Sequence, residues 1–170
     1  SVGLVDGIKE QVRTIVENED GTLWMGTASE GLLHAKITPG PANEKWPAEI
    51  TRFGVESGLP RNGYVRTGRF DNQVRFSTSK GLRRFDAATR TFIADSRLGD
   101  LTADTTNSIS NFLDDGEGVG WIVLRMGPSF RLFHTLRQTD GSYRIETSPF
   151  QRLTERFYMD AIFQEPGGVT

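Results

Sequence analysis

The chain has 170 residues, 36% of them hydrophobic and 25% charged, with a net charge of −2 and no cysteine. That length and balance fit one ordinary globular domain with room for a sizeable core. The near-neutral charge gives no basic footprint for nucleic acid, the absent cysteines exclude disulfides and thiolate metal sites, and no apolar run approaches the roughly 18 residues of a membrane span.

Taken in chain order, short strands rich in β-branched and aromatic residues alternate with turn residues. Strands are predicted at 12–17, 22–27, 31–36 and 49–53, the first two joined by Glu19-Asp20-Gly21. A long loop, Pro39-Gly40-Pro41-Ala42-Asn43-Glu44-Lys45, precedes Trp46. The next four are predicted at 64–69, 73–78, 81–85 and 90–93, with Asp71-Asn72 in the first turn. Four more are predicted at 108–113, 119–124, 130–134 and 143–147, with Asp115-Gly116-Glu117-Gly118 in the first turn. A last strand is predicted at 158–163, followed by Pro166-Gly167-Gly168. Gly, Asn and Asp suit these hairpin turns because they tolerate positive φ. No sustained 3.6-residue period is present, so no helix longer than a turn is expected.

These segments are one motif repeated. Aligning Leu23-Trp24-Met25-Gly26-Thr27 with Val74-Arg75-Phe76-Ser77-Thr78 brings Gly31-Leu32 onto Gly81-Leu82 with a one-residue gap. Trp121 takes the Trp24 place in the third copy, and Tyr158 opens a fourth that stops at Thr170. The copies start at 12, 64, 108 and 158, which are 52, 44 and 50 residues apart. One period holds one four-stranded sheet, and such a sheet alone cannot bury both faces. Radial stacking lets each cover its neighbour, so the expected fold is all-β: antiparallel propeller blades at about 12–53, 64–93 and 108–147, with a truncated fourth at 158–170. Trp24 is expected to wedge between blades, and Gly26 to let a neighbouring backbone come close. Arg75 breaks the tryptophan pattern, so the second blade must pack that spot differently.

The string Asn18-Glu19-Asp20-Gly21-Thr22-Leu23-Trp24-Met25-Gly26-Thr27, followed by Gly31-Leu32, resembles the two-component regulator propeller repeat. So do Ser57-Gly58-Leu59-Pro60-Arg61-Asn62 leading into Val65, and Gly81-Leu82-Arg83-Arg84-Phe85-Asp86. The third copy departs, with Arg125-Met126-Gly127-Pro128 where Gly-Thr and Gly-Leu would stand; it rests on spacing and Trp121. The resemblance implies the periplasmic or extracellular sensor part of a membrane-anchored receptor, with a histidine kinase, cyclase or other output domain downstream. It also implies about seven blades and a carbohydrate-fragment ligand. The expected partners are therefore a small oligosaccharide, further blades and an output domain in the parent chain, and, for an isolated fragment, a second copy covering open blade faces.

Ligands of propellers often bind on loops leading into each first strand, around the mouth of the central channel. Those loops carry Gln11, Arg61, Asn62, Tyr64, Asn107, Arg156 and Tyr158, whose planar donors, acceptors and aromatic faces suit sugars. The ordinary alternative is that they cap strands and solvate the rim. No nucleophile elbow, phosphate loop or dinucleotide fingerprint occurs, so the expectation is a non-enzymatic module without cofactor or metal. The competing readings are a polysaccharide lyase or glycoside hydrolase, for which Glu10, Glu155 and Asp160 are the acids near those loops, and a purely protein-binding propeller scaffold. The segment around Asp115 does not match calcium-loop spacing, and the two histidines, His34 and His134, are expected to serve packing.

Overall fold

The structure, a computed structural model, describes residues 4–29, 31–42, 44–61, 63–99, 107–115 and 117–147; for Asn107 and Thr147 this means the backbone. Within them three four-stranded antiparallel sheets run as simple meanders. Blade 1 follows a short strand β1 (Leu4–Val5). It contains β2 (Val12–Glu17), β3 (Leu23–Thr27), β4 (Leu32–Ile37) and, after β5 (Lys45–Trp46), β6 (Ala48–Phe53). Blade 2 contains β7 (Arg66–Phe70), β8 (Gln73–Thr78), β9 (Gly81–Asp86) and β10 (Thr91–Ala94). Blade 3 contains β11 (Asn107–Asp114), β12 (Val119–Met126), β13 (Ser129–Arg137) and β14 (Tyr143–Thr147). The only helical segments among the described residues are two 3-10 turns, Val55–Ser57 and Ser96–Leu98. This is the blade architecture that the repeat predicts. The fourth copy lies outside the described residues.

The first strands of successive blades line up side by side, β2 against β7 and β7 against β11, as inner strands around a propeller axis do. Cross-blade hydrogen bonds fix them. Val65 N–H donates to the Thr27 carbonyl at 3.2 Å. The Thr67 N–H and hydroxyl both reach Thr14 Oγ1, at 2.8 and 3.0 Å, and the Ser77 hydroxyl donates to the Ile109 carbonyl. β7 begins at Arg66 rather than Tyr64, because its register, Arg66↔Ser77, sets Tyr64 opposite Ser79 in the turn after β8.

Alternation along each strand sends every second side chain to the next blade. Between blades 1 and 2 this buries Trp24, Leu32, Phe53, Leu59, Val65, Phe76 and Phe92. The Trp24 ring lies 5.0 Å from Phe76 and 5.1 Å from Phe85, edge-on or tilted. Such pairs add about 0.5–1.5 kcal/mol each beyond burial. A Cβ on Gly26 would sit 2.1 Å from the Val65 carbonyl oxygen, so the close approach expected there is real. Between blades 2 and 3 the core is Phe70, Leu82, Leu98, Ile109, Phe112, Ile122, Leu124 and Tyr143. There the Phe112 ring fills the space beside Gly68, where a Cβ would meet it at 2.7 Å.

The face of blade 1 turned away from blade 2 buries Met25, Leu33 and Ala35, partly under Ile8 and Val12. It leaves Ile15 59% exposed. Trp46 stays with its own loop: β5 pairs with β1 in parallel, and the indole N–H donates to the Pro41 carbonyl at 3.1 Å.

The turns follow their sequence. Asp71 and Asn72 have φ of 57° and 55°, the two positive values that a two-residue hairpin with the native twist requires. One ladder is incomplete. β8 and β9 pair at Thr78↔Gly81, Ser77↔Leu82 and Phe76↔Arg83 and then part, whereas β3–β4 pairs from Gly26↔Leu32 to Leu23↔Ala35.

Gly26→Ala is expected to lower unfolding stability by about 1–3 kcal/mol through overpacking. Trp24→Ala should cost about 3–5 kcal/mol. Denaturant midpoints at constant slope measure both.

Candidate functional site

At one end of the blades, two backbone hydrogen bonds link the lead-in loops. Ala28 N–H donates to the Gln11 carbonyl at 3.0 Å, and its neighbour Thr27 receives Val65 N–H. Gln11 and Tyr64 therefore share one rim. Gln11 and Arg61 are exposed and Tyr64 is half-buried, with the Arg66 guanidinium 5.4 Å above its ring. Asn107 opens β11 opposite Met126, at the corresponding end of the third inner strand. Asn62, Arg156 and Tyr158 lie outside the described residues. The rim can thus offer an amide, a guanidinium and an aromatic face to a ligand.

Of the acids weighed for hydrolysis, Glu155 and Asp160 lie outside the described residues. Glu10 is held by Arg52 at 2.6 Å, and the Arg52 guanidinium also donates to the Gly7 carbonyl at 2.7 Å. The hydrogen bond from Arg52 holds the Glu10 carboxyl below the usual range. It stays ionised and engaged.

The opposite end, where the first turn of each blade lies, carries features the sequence did not single out. Clefts of about 430 and about 330 Å³ meet there, sharing Asn18, Asp20, Gln73 and Val74. The first lies between the turns of blades 1 and 2. The second reaches Trp24, His34 and Phe85 and coincides with the parting of β8 from β9. Polar Gln73 and Arg75 at the start of β8 were the signal in the sequence.

The same end of the junction between blades 2 and 3 is ionic. Arg75, 4% exposed, takes the place equivalent to Trp24. Its Nε lies 2.6 Å from Asp95, and its other nitrogens donate to the Val74 carbonyl and to Gln73 Oε1. Arg97 bridges Asp95 at 2.9 Å and Asp71 at 2.6 Å, and Arg137 adds a contact to Asp71 at 3.1 Å. The Asp71 N–H in turn donates to the Asp114 carboxylate. Burial raises the Asp95 carboxyl, but the hydrogen bonds from Arg97 and Arg75 outweigh it and bring it down to about 2. Burial pushes the nearby Tyr143 hydroxyl up to about 12.

The histidines pack as expected. His34 stacks on Trp24 at 4.2 Å and His134 on Trp121 at 4.6 Å, equivalent places in blades 1 and 3. His34 Nε2 meets Thr22 Oγ1 at 2.9 Å, and burial pushes its pKa down. Among the described residues no three His, Asp or Glu side chains come together as a metal site. Asp115 uses its carboxylate to accept the N–H groups of Glu117 and Val119, as a turn residue does.

No family model matches the chain, and no curated protein matches it. The likeness to the regulator propeller repeat rests on the residues quoted for it.

Asp95 is held below its ordinary 3.8, so the stability it contributes is fully present above about pH 4 and is lost as pH falls towards 2. Asp95→Asn should flatten that acid limb. At neutral pH it should also cost about 3–5 kcal/mol by leaving Arg75 buried without its countercharge. Urea unfolding between pH 2 and 7 measures both effects.

Proposed function

We propose that the chain is a non-enzymatic ligand-binding module of an extracytoplasmic sensor propeller. In this reading it recognises a small saccharide and signals to an output domain elsewhere in the parent protein. The observation that carries the reading is the shared rim. Gln11, Arg61, Tyr64 and Asn107 stand at the lead-in ends of three adjacent inner strands, on a scaffold whose junctions are locked by hydrogen bonds. Polar groups on loops held by rigid sheets are suited to recognition. The class of ligand and the receptor context come from the resemblance of the repeat. The engagement of Glu10 with Arg52 supports recognition over acid–base chemistry at the part of the rim described.

Calorimetric titration with a panel of neutral and acidic oligosaccharides tests this. Binding is expected, weakened about tenfold by Tyr64→Ala, equivalent to about 1.4 kcal/mol. Specific turnover of any of these saccharides would overturn the reading.

A further inference from the structure

The parting of β8 from β9 has a definite chemical consequence. Counting from the two-residue turn Ser79-Lys80, Thr78 and Gly81 form one hydrogen-bonding pair and Phe76 and Arg83 the next. Val74 and Phe85 are the residues that would form the third, and the ladder stops before them. In blade 1 the corresponding stretch is closed by Leu23↔Ala35. The Val74 carbonyl has found a substitute, the Arg75 guanidinium at 2.9 Å. The Val74 N–H and both main-chain groups of Phe85 are the remaining ladder groups of that pair, at the wall of the cleft of about 330 Å³.

We infer that this gap is a binding site for the acetamido group of an N-acetylated saccharide. A secondary amide carries one donor and one acceptor: its N–H suits the Phe85 carbonyl and its oxygen the Val74 N–H. Its methyl group meets the Phe85 ring, which packs on Trp24 at 5.1 Å. A peptide strand is the poorer fit. Only one hydrogen-bonding pair is open before the ladder resumes at Phe76, whereas an added strand needs a run of them. The rim instead suits a sugar ring. Asn18 and Asp20 come from blade 1, Gln73 and Arg84 from blade 2, and the Arg84 side chain is exposed. The adjoining cleft of about 430 Å³ gives a second ring a place. Both volumes fall in the range of small-molecule sites. The site lies at the end of the blades opposite the rim and takes only the saccharide class from the proposed function.

The test is an amide-resolved NMR titration of the labelled protein with three probes: chitobiose, cellobiose, and N-acetylalanine methylamide. Chitobiose should shift the Val74 and Phe85 amides and the Trp24 indole, and bind about tenfold tighter than cellobiose, which lacks the acetamido group. Arg84→Ala should weaken chitobiose about fivefold while leaving the unfolding midpoint in place. Equal binding of the two disaccharides, or a response to the blocked amino acid alone, overturns the acetamido site. Shifts confined to Gln11, Arg61 and Tyr64 overturn it and leave the rim reading standing. If a wider oligosaccharide panel also fails to bind anywhere, both readings fall.

Discussion

A four-stranded sheet of this size has two faces and only one way to keep both from water: another sheet against each. Everything else in the structure answers that requirement. The inner strands approach so closely that Gly26 and Gly68 have no room for a Cβ, the first beside a backbone carbonyl and the second beside the Phe112 ring. Thr14 takes two hydrogen bonds from Thr67 across the junction, so polar groups buried by the approach are matched rather than stranded. The loops are then displayed at two ends of a stack whose spacing they do not determine.

The two junctions solve the same packing problem with different chemistry. Blade 1 meets blade 2 through rings at edge-to-face and tilted angles around Trp24. Blade 2 meets blade 3 through a more aliphatic core, extended at one end by Arg75, Asp95, Arg97, Asp71 and Arg137. A buried ion network of this kind is weak evidence for stability as such, because desolvation opposes the attraction.

Much of this was legible in the sequence because blade periodicity is a one-dimensional signal. The bounds of β2, β8 and β14 agree with expectation to the residue, and the Asp71-Asn72 turn could be read from two side chains that tolerate positive φ. Trp24 and Gly26 were legible for a similar reason: a large ring and a missing Cβ leave few places to stand. Arg75 showed that the second junction must differ, but not how. Its partner Asp95, and Arg97 which shares that carboxylate, lie 20 and 22 positions on, in the cap of a 3-10 turn and the turn itself, and no local rule joins them to Arg75. The parting of β8 and β9 was equally hidden, since both segments read as good strands and only their mutual pairing fails. That Gln11 and Tyr64 share one end follows from strand topology alone. The Arg52 contact to Glu10 needed the fold, because it joins residues 42 apart.

The contrast between the junctions reaches beyond packing. Burial of apolar surface loses strength on cooling, while the desolvation penalty of charge pairs falls on heating. Both joints bury an apolar core and slacken in the cold, and the Arg75 joint also carries a charge-desolvation penalty that falls with warmth. Neighbouring joints of three blades that look alike in outline thus respond to temperature in the same sense but through different terms.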